Sequence, residues 1–188
     1  QIELFQKNAD ILSVSLGYRP MYHILNSAGI ERFPQYQFDM VRLGIGIYGV
    51  SAIPGNTLAP VASFKCKVLQ VKALKAGDGT IGYARRGKIA PEGTVIATIP
   101  VGYADGVDRH LSCGKGYFTV NGQRVPTIGN ICMDMCMLDV TGVDVKVGDT
   151  VTIFGDDPSI SDLADVLGTI PYEILTSVPR RIERVVIR

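Results

Sequence analysis

The chain has 188 residues, 46% of them hydrophobic, and its 19 Lys and Arg nearly cancel 18 Asp and Glu to leave a net charge of +1. There is enough apolar material for a sizeable core, and no basic excess with which to neutralise a run of nucleic-acid phosphates. No apolar run reaches the ~18–20 residues that span a bilayer. The expectation is therefore a cytoplasmic chain with no signal peptide, no membrane span and no nucleic-acid partner. Four irregularly spaced cysteines, Cys66, Cys113, Cys132 and Cys136, fit reduced thiols better than a disulfide framework.

In chain order, Ile2, Phe5, Ala9 and Leu12 recur at helical spacing from the first residues, and Gly17 is a C-terminal signal. A helical pattern already running at Gln1 suggests that the chain begins inside a longer polypeptide. MYHIL (21–25) reads as a short buried strand running into NSAG (26–29). A short helix is expected around Phe38–Val41, and RLGIGIYGV (42–50) reads as a second apolar strand threaded with glycines. Helix, strand, helix, strand is the rhythm of a parallel α/β unit. SAIPGNTLAP (51–60) reads as a linker.

Beyond it the pattern turns to β. Ala62, Phe64, Cys66 and Val68 alternate with polar residues up to a turn at AGDG (76–79), and TVIATIPVG (94–102) is a second strand. Asn121-Gly122 marks a hairpin, and KVGD (146–149) a turn before VTIFG. One helix is expected near Asp162–Leu167, with Ser159 or Ser161 as its N-cap and Gly168 after it. The expected fold is mainly β: a compact β-barrel-like C-terminal domain over 61–188 with one short helix. It is preceded by a linker at 51–60 and by a partial TIM-type α/β barrel, its last βα units, over 1–50.

Several stretches carry candidate chemistry. NSAG offers a hydroxyl and consecutive backbone N–H groups after a buried strand, and LGIGIYG lets a backbone approach a ligand closely; together they suggest a phosphate held between strand ends. In IGYARRG, Tyr83 precedes Arg85 and Arg86, and cations nearby favour the phenolate of a tyrosine serving as base. VGYADGVDR adds Tyr103, Asp105 and Arg109 after a strand. His23 and His110, the two histidines, have no Ser or Cys partner at a diagnostic spacing. GNICMDMCMLDV (129–140) mixes thiols, thioethers and carboxylates, but on a strand Cys132 and Cys136 stand ~13 Å apart, too far to share a tetrahedral metal. It reads as a strand buried on both faces, with no metal expected. Asp134 is left unexplained, and Cys132, Met133 and Asp134 are placed where a pocket begins.

HILNSAG, RLGIGIYGV, GYARRG, IPVGYADG, VPTIGNICMDMCMLDV and IPYEILTSVPRRIERV stand in the order found in alanine racemases, and the chain resembles that pyridoxal 5′-phosphate (PLP) family over its whole length. The resemblance implies a bacterial, homodimeric isomerase that interconverts L- and D-alanine for cell-wall peptidoglycan by proton transfer from two bases. It assigns the cofactor phosphate to Ser27, Gly44, Ile45 and Tyr172, and the pyridine nitrogen to Arg42. A guanidinium gives up no proton readily, so that nitrogen stays unprotonated and the cofactor is a weaker electron sink. Tyr83 matches the base on one face of the substrate, Met133 a backbone contact to the alanine carboxylate, and Tyr103 a residue at the active-site entrance.

One part of the family pattern is absent. The Schiff-base lysine that serves as base on the opposite face, with its Ala-Asn-Ala-Tyr-Gly-like context, does not occur here; Lys65, Lys67 and Lys72 lie on expected β strands. The expected partners are thus alanine, a second copy of the chain and the N-terminal barrel portion of the same polypeptide. The chain alone is expected to be inactive. Alternatives are a non-catalytic β module for dimerisation or binding, and a racemase of another amino acid.

Overall fold

A computed structural model describes residues 1–187; Arg188, the last residue of the expected β domain, lies outside it. The chain divides into two compact units, Gln1–Ala62 and Ser63–Arg188.

In the first unit, α1 (Ile2–Leu16) ends where Gly17 turns left-handed (φ +75°) and donates its N–H to the carbonyls of Ser13 and Val14. No residue of α1 is fully buried. It is held through Phe5, which meets Tyr22 and Phe38 at centroid distances of 5.9 and 5.6 Å, and through the Tyr22 hydroxyl, which bonds Ser13 Oγ at 2.7 Å and Asp10 at 3.1 Å. A six-residue helix, α2 (Ser27–Arg32), follows, its first turn closed by the Asn26 side chain accepting from Gly29 N–H.

The two apolar segments expected as strands are not strands here. Residues 21–25 carry no ladder, and 42–50 contain a 3₁₀ turn over Ile45–Tyr48, closed by a left-handed Gly49 (φ +79°). The physical reason is pairing. A strand exists through its neighbours, and among the described residues these segments share one backbone bond, Arg42 N–H to Leu25 O, while Tyr22 O takes another from Asp39 N–H outside them. The helix expected at Phe38–Val41 is also absent; a 3₁₀ turn lies earlier, at Pro34–Tyr36, and Phe38 adopts a positive φ of 50°.

The segment expected as a linker is irregular but tethered. Glu31 accepts hydrogen bonds from Ser51 Oγ, from Ala52 N–H at 2.9 Å and from Asn56 Nδ2 at 2.9 Å. The chain then crosses so close to Gly49 that a side chain there would overlap the Ala59 carbonyl.

The second unit is an antiparallel sheet. Its strands are β1 (Phe64–Lys67), β2 (Gln70–Leu74), β5 (Thr94–Ile99), β6 (Tyr117–Val120), β7 (Gln123–Ile128), β8 (Cys136–Asp139) and β9 (Thr150–Phe154); a separate two-stranded ribbon pairs β3 (Thr80–Ile81) with β4 (Gly87–Lys88). The seven strands run in the order β1-β9-β6-β7-β8-β5-β2. The two edges, β1 and β2, are separated in sequence only by Val68 and Leu69. Val68 N–H bonds Asp149 O next to one edge and Leu69 N–H bonds Thr98 O next to the other. A sheet whose edges meet within two residues must curl on itself, which gives the barrel-like form.

Phe118, Ile99, Leu138, Val120 and Val151 fill its interior. The β6–β7 hairpin turns through left-handed Asn121 and Gly122, as their dipeptide demands. The first helix here, α3 (Ile160–Leu167), is capped reciprocally by Ser159 and Asp162. A second helix, α4 (Pro171–Ser177), corrects the expectation of one; Pro171 occupies its first turn, where a missing N–H costs nothing.

The Glu31 tether is pH-dependent. The Ser51 hydroxyl, then the Ala52 N–H, hold its carboxyl below the ordinary 4.5. A depressed carboxylate contributes above its ordinary value, and the contribution is lost as pH falls through the folded one. Pepsin cleavage within 51–60 is therefore expected to stay slow down past pH 4.5 and to accelerate only below it. Glu31→Ala should be cut rapidly across the whole range.

Candidate active site

The turn after β5 sets the geometry of the second unit's site residues. Tyr103 N–H bonds Cys132 O and Ala104 N–H bonds Met133 O, both at 3.0 Å, so a 3₁₀ turn over Tyr103–Asp105 is stitched to the loop before β8. Only glycine fits at 102, because a methyl group there would overlap the carbonyl oxygens of both Cys132 and Met133. Asp105 is buried; its Oδ2 accepts from Gly102 N–H at 3.0 Å and its Oδ1 from Arg181 Nε at 2.9 Å.

Arg181 Nη2 reaches Asp134 at 2.8 Å as well as Asp105 at 2.7 Å. The two carboxylates, Asp134 first, hold the guanidinium above its ordinary pKa. Asp134, which the sequence left unexplained, is thus one end of a clamp that joins the turn, the loop and the C-terminal segment. Arg181 itself was missed: it lies 47 residues from Asp134 and 76 from Asp105, and only its place in VPRR marks it.

GNICMDMCMLDV is a strand only over Cys136–Asp139, where Cys136, Met137 and Leu138 are buried. The expectation of a doubly buried strand fails over Cys132–Met135. That stretch closes a turn through Cys132 N–H to Met135 O at 2.9 Å, which leaves Met133 and Met135 exposed. The Met133 N–H has no hydrogen-bond partner among the described residues. Burial raises the pKa of the Cys132 thiol against a lowering by Arg109. It pushes Cys66 up to about 12 and Cys136 higher still.

Tyr83 lies on the loop joining β3 to β4 and is 72% exposed. Ala84 and Arg85 after it are both left-handed (φ +57° and +56°), and Arg85 and Arg86 are exposed. The Tyr83 carbonyl accepts from Asn130 Nδ2 at 3.0 Å. Tyr83, Cys132, Met135 and Met137 line an open groove of about 560 Å³ with Ile81, Ile96 and Lys72. Tyr172 lies on α4, half-exposed, and α4 reaches the GYADG turn where Ser177 Oγ donates to Gly106 O at 3.3 Å.

In the first unit, Ser27 is buried, and its Oγ accepts from Gly44 N–H at 2.9 Å and Gly46 N–H at 3.2 Å. Ile45 N–H has no partner among the described residues. Arg42 folds back along the chain, donating to His23 Nδ1 at 2.7 Å and to the carbonyls of His23 and Ile24 at 3.3 and 3.2 Å. Since a guanidinium only donates, His23 Nδ1 is the acceptor and the ring is a neutral Nε2–H tautomer in this arrangement. His23 is a second residue the sequence reading passed over.

The structure thus brings together Ser27, Gly44, Ile45 and Arg42 in one unit. In the other it joins Tyr103 and Met133, with Tyr83 tied to the same 129–135 stretch. No helix among the described residues is long and apolar enough to cross a membrane.

A helical unit followed by a curled antiparallel sheet, with candidate residues in each, defines a two-domain fold. The descriptions "Alanine racemase, N-terminal domain" and "Alanine racemase, C-terminal domain" match residues 1–52 and 61–186. The chain belongs to the alanine racemase family. It is 46% identical to the alanine racemase of Desulfosudis oleivorans over 173 residues, 87% of this chain and 44% of that protein. The alanine racemase of Streptomyces coelicolor superposes with a TM-score of 0.87 at 33% identity, covering 98% of this chain and 50% of that one. That of Bartonella henselae, with covalently bound pyridoxal phosphate, gives 0.81 at 34% identity over 97% of this chain and 52% of that one. The chain spans about half the length of the curated relatives it matches. The expected class, a β-barrel-like domain preceded by the last units of an α/β barrel, is that of these structural neighbours.

The Arg181 clamp makes unequal demands on its partners. Arg181→Ala leaves the buried Asp105 carboxylate unpaired, whereas Asp134→Ala removes an exposed partner. Urea midpoints are expected to fall markedly for the first and only slightly for the second.

Proposed function

We propose that these residues are the C-terminal portion of a PLP-dependent alanine racemase and that Tyr83 is the base on one face of its substrate. The observation that carries this reading is Tyr83 itself: an exposed phenol on a groove wall, with no hydrogen bond to its hydroxyl among the described residues. It is free to meet a substrate.

The residues of the first unit fit the cofactor's polar groups. Ser27 Oγ accepts two backbone N–H groups and keeps its own proton to donate, which suits a phosphate oxygen; Ile45 N–H is a second free donor. Gly44 acts by orienting that hydroxyl, since its N–H is already committed to it. Arg42 spends three of its five donors on His23 and Ile24, leaving N–H groups for the pyridine nitrogen.

When bound, PLP supplies the electron sink that acidifies the α-proton. Tyr83 takes that proton from L-alanine. Met133, through its unpartnered N–H, holds the substrate carboxylate, and Tyr103 narrows the entrance beside it. The second base is the family's lysine, whose motif these 188 residues do not contain, so the chain alone does not turn over alanine. The complete enzyme is a cytoplasmic homodimer that makes D-alanine for the cell wall.

In that complete enzyme, Tyr83→Phe is expected to slow α-proton abstraction from L-alanine by roughly 10²-fold or more and that from D-alanine far less. Exchange of the α-proton into deuterated solvent, followed from each enantiomer separately, measures both. Equal losses from the two sides would remove Tyr83 from the role.

A further inference from the structure

We propose that Asn130 is a positioning residue for Tyr83, holding the loop that presents the phenol. The inference deepens the reading of Tyr83 as a base and rests on it. The loop over residues 82–86 has little to order it. It joins two strands of two residues each, Tyr83 is largely exposed, and Ala84 and Arg85 occupy left-handed backbone conformations that cost a residue with a side chain. Among the described residues, the bond from Asn130 Nδ2 to Tyr83 O is the one hydrogen bond that reaches this loop from outside it.

The anchor is itself fixed in place and in orientation. On one side, Cys113 N–H bonds Gly129 O at 2.9 Å; on the other, Ile131 N–H bonds Ser112 Oγ at 2.9 Å. The Cys113 thiol lies 3.8 Å from Asn130 Oδ1, which selects Oδ1 as acceptor and leaves Nδ2 to donate to Tyr83. The backbones also run too close for side chains. A methyl group on Gly82 would stand 3.3 Å from Asn130 N, and one on Gly129 would stand 2.7 Å from Ile81 O. Asn130 is therefore the side-chain clasp of a backbone contact that runs from β3 across the Gly129–Asn130 turn. That same turn leads into Cys132 and Met133, so one segment sets the position of the phenol and of the Met133 N–H.

Asn130→Asp keeps the size of the side chain and replaces the donor with an acceptor facing a carbonyl oxygen; Asn130→Ala deletes the group without that repulsion. In the 188-residue chain, backbone ¹⁵N order parameters over 82–86 are expected to drop from about 0.85 to about 0.6 or below in both variants, while those in β5 and β8 stay unchanged. In the complete enzyme, both are expected to lower kcat for α-proton exchange from L-alanine more than from D-alanine, with little change in KM. That is the same asymmetry as Tyr83→Phe in milder form.

Unchanged order parameters over 82–86 would overturn the proposal. So would equal losses from both enantiomers in the Asn130 variants when Tyr83→Phe is asymmetric. Symmetric losses in Tyr83→Phe would instead refute the assignment of the base, and the order parameters alone would then decide whether Asn130 holds the loop.

Discussion

The second unit's site depends on one close approach. The backbone at Gly102 lies against the carbonyls of Cys132 and Met133, with no room for a side chain between them. Two consecutive hydrogen bonds from Tyr103 and Ala104 lock that approach, and the buried Asp105 secures it from beneath by taking the Gly102 N–H on one oxygen and Arg181 on the other. The arrangement ties the turn that bears Tyr103 to the loop that bears Met133, two segments some thirty residues apart in sequence.

The curled sheet meets its own edges at Val68–Leu69 and is filled by buried side chains such as Phe118, Ile99, Leu138 and Val151, so it is the fixed frame. The loop that bears Tyr83 hangs from that frame by a two-residue ribbon and one side-chain bond. The turn at Gly44–Gly46 in the first unit is built on the same economy, with the Ser27 hydroxyl doing for Gly44 and Gly46 what a strand partner does elsewhere. In each case a short polar side chain, buried or half-buried, substitutes for regular secondary structure.

The β unit was largely legible because its signals are local. Alternation at 62–68, the Asn-Gly turn and the serine N-cap each act within a few residues; each appears in the structure, the cap falling to Ser159 of the two serines the pattern offered. MYHIL and RLGIGIYGV were misread for the converse reason: apolarity says that a segment is buried, while a strand needs partners that these segments do not have among the described residues. The candidate residues could be named from the sequence, but the contacts that hold them could not. Tyr83, Tyr103 and Met133 stand in recognisable stretches, but the clamp on Asp134 comes from Arg181, and the hold on Arg42 comes from His23, 19 residues away. Long-range side-chain pairing leaves no periodic trace in a sequence, so the partners of Asp134 and His23 could not be read from it.

Steric exclusion at residue 102 keeps the Tyr103 turn and the Met133 loop in register. Gly102→Ala probes this, read by the backbone amide chemical shifts of residues 102–105 and 131–135 alongside the urea midpoint. Both stretches are expected to shift together, the amides of Tyr103 and Ala104 to lose their protection from exchange, and stability to fall by about 1–3 kcal/mol, the cost of overpacking a closed contact. Unperturbed amides at both stretches with an unchanged midpoint would contradict it.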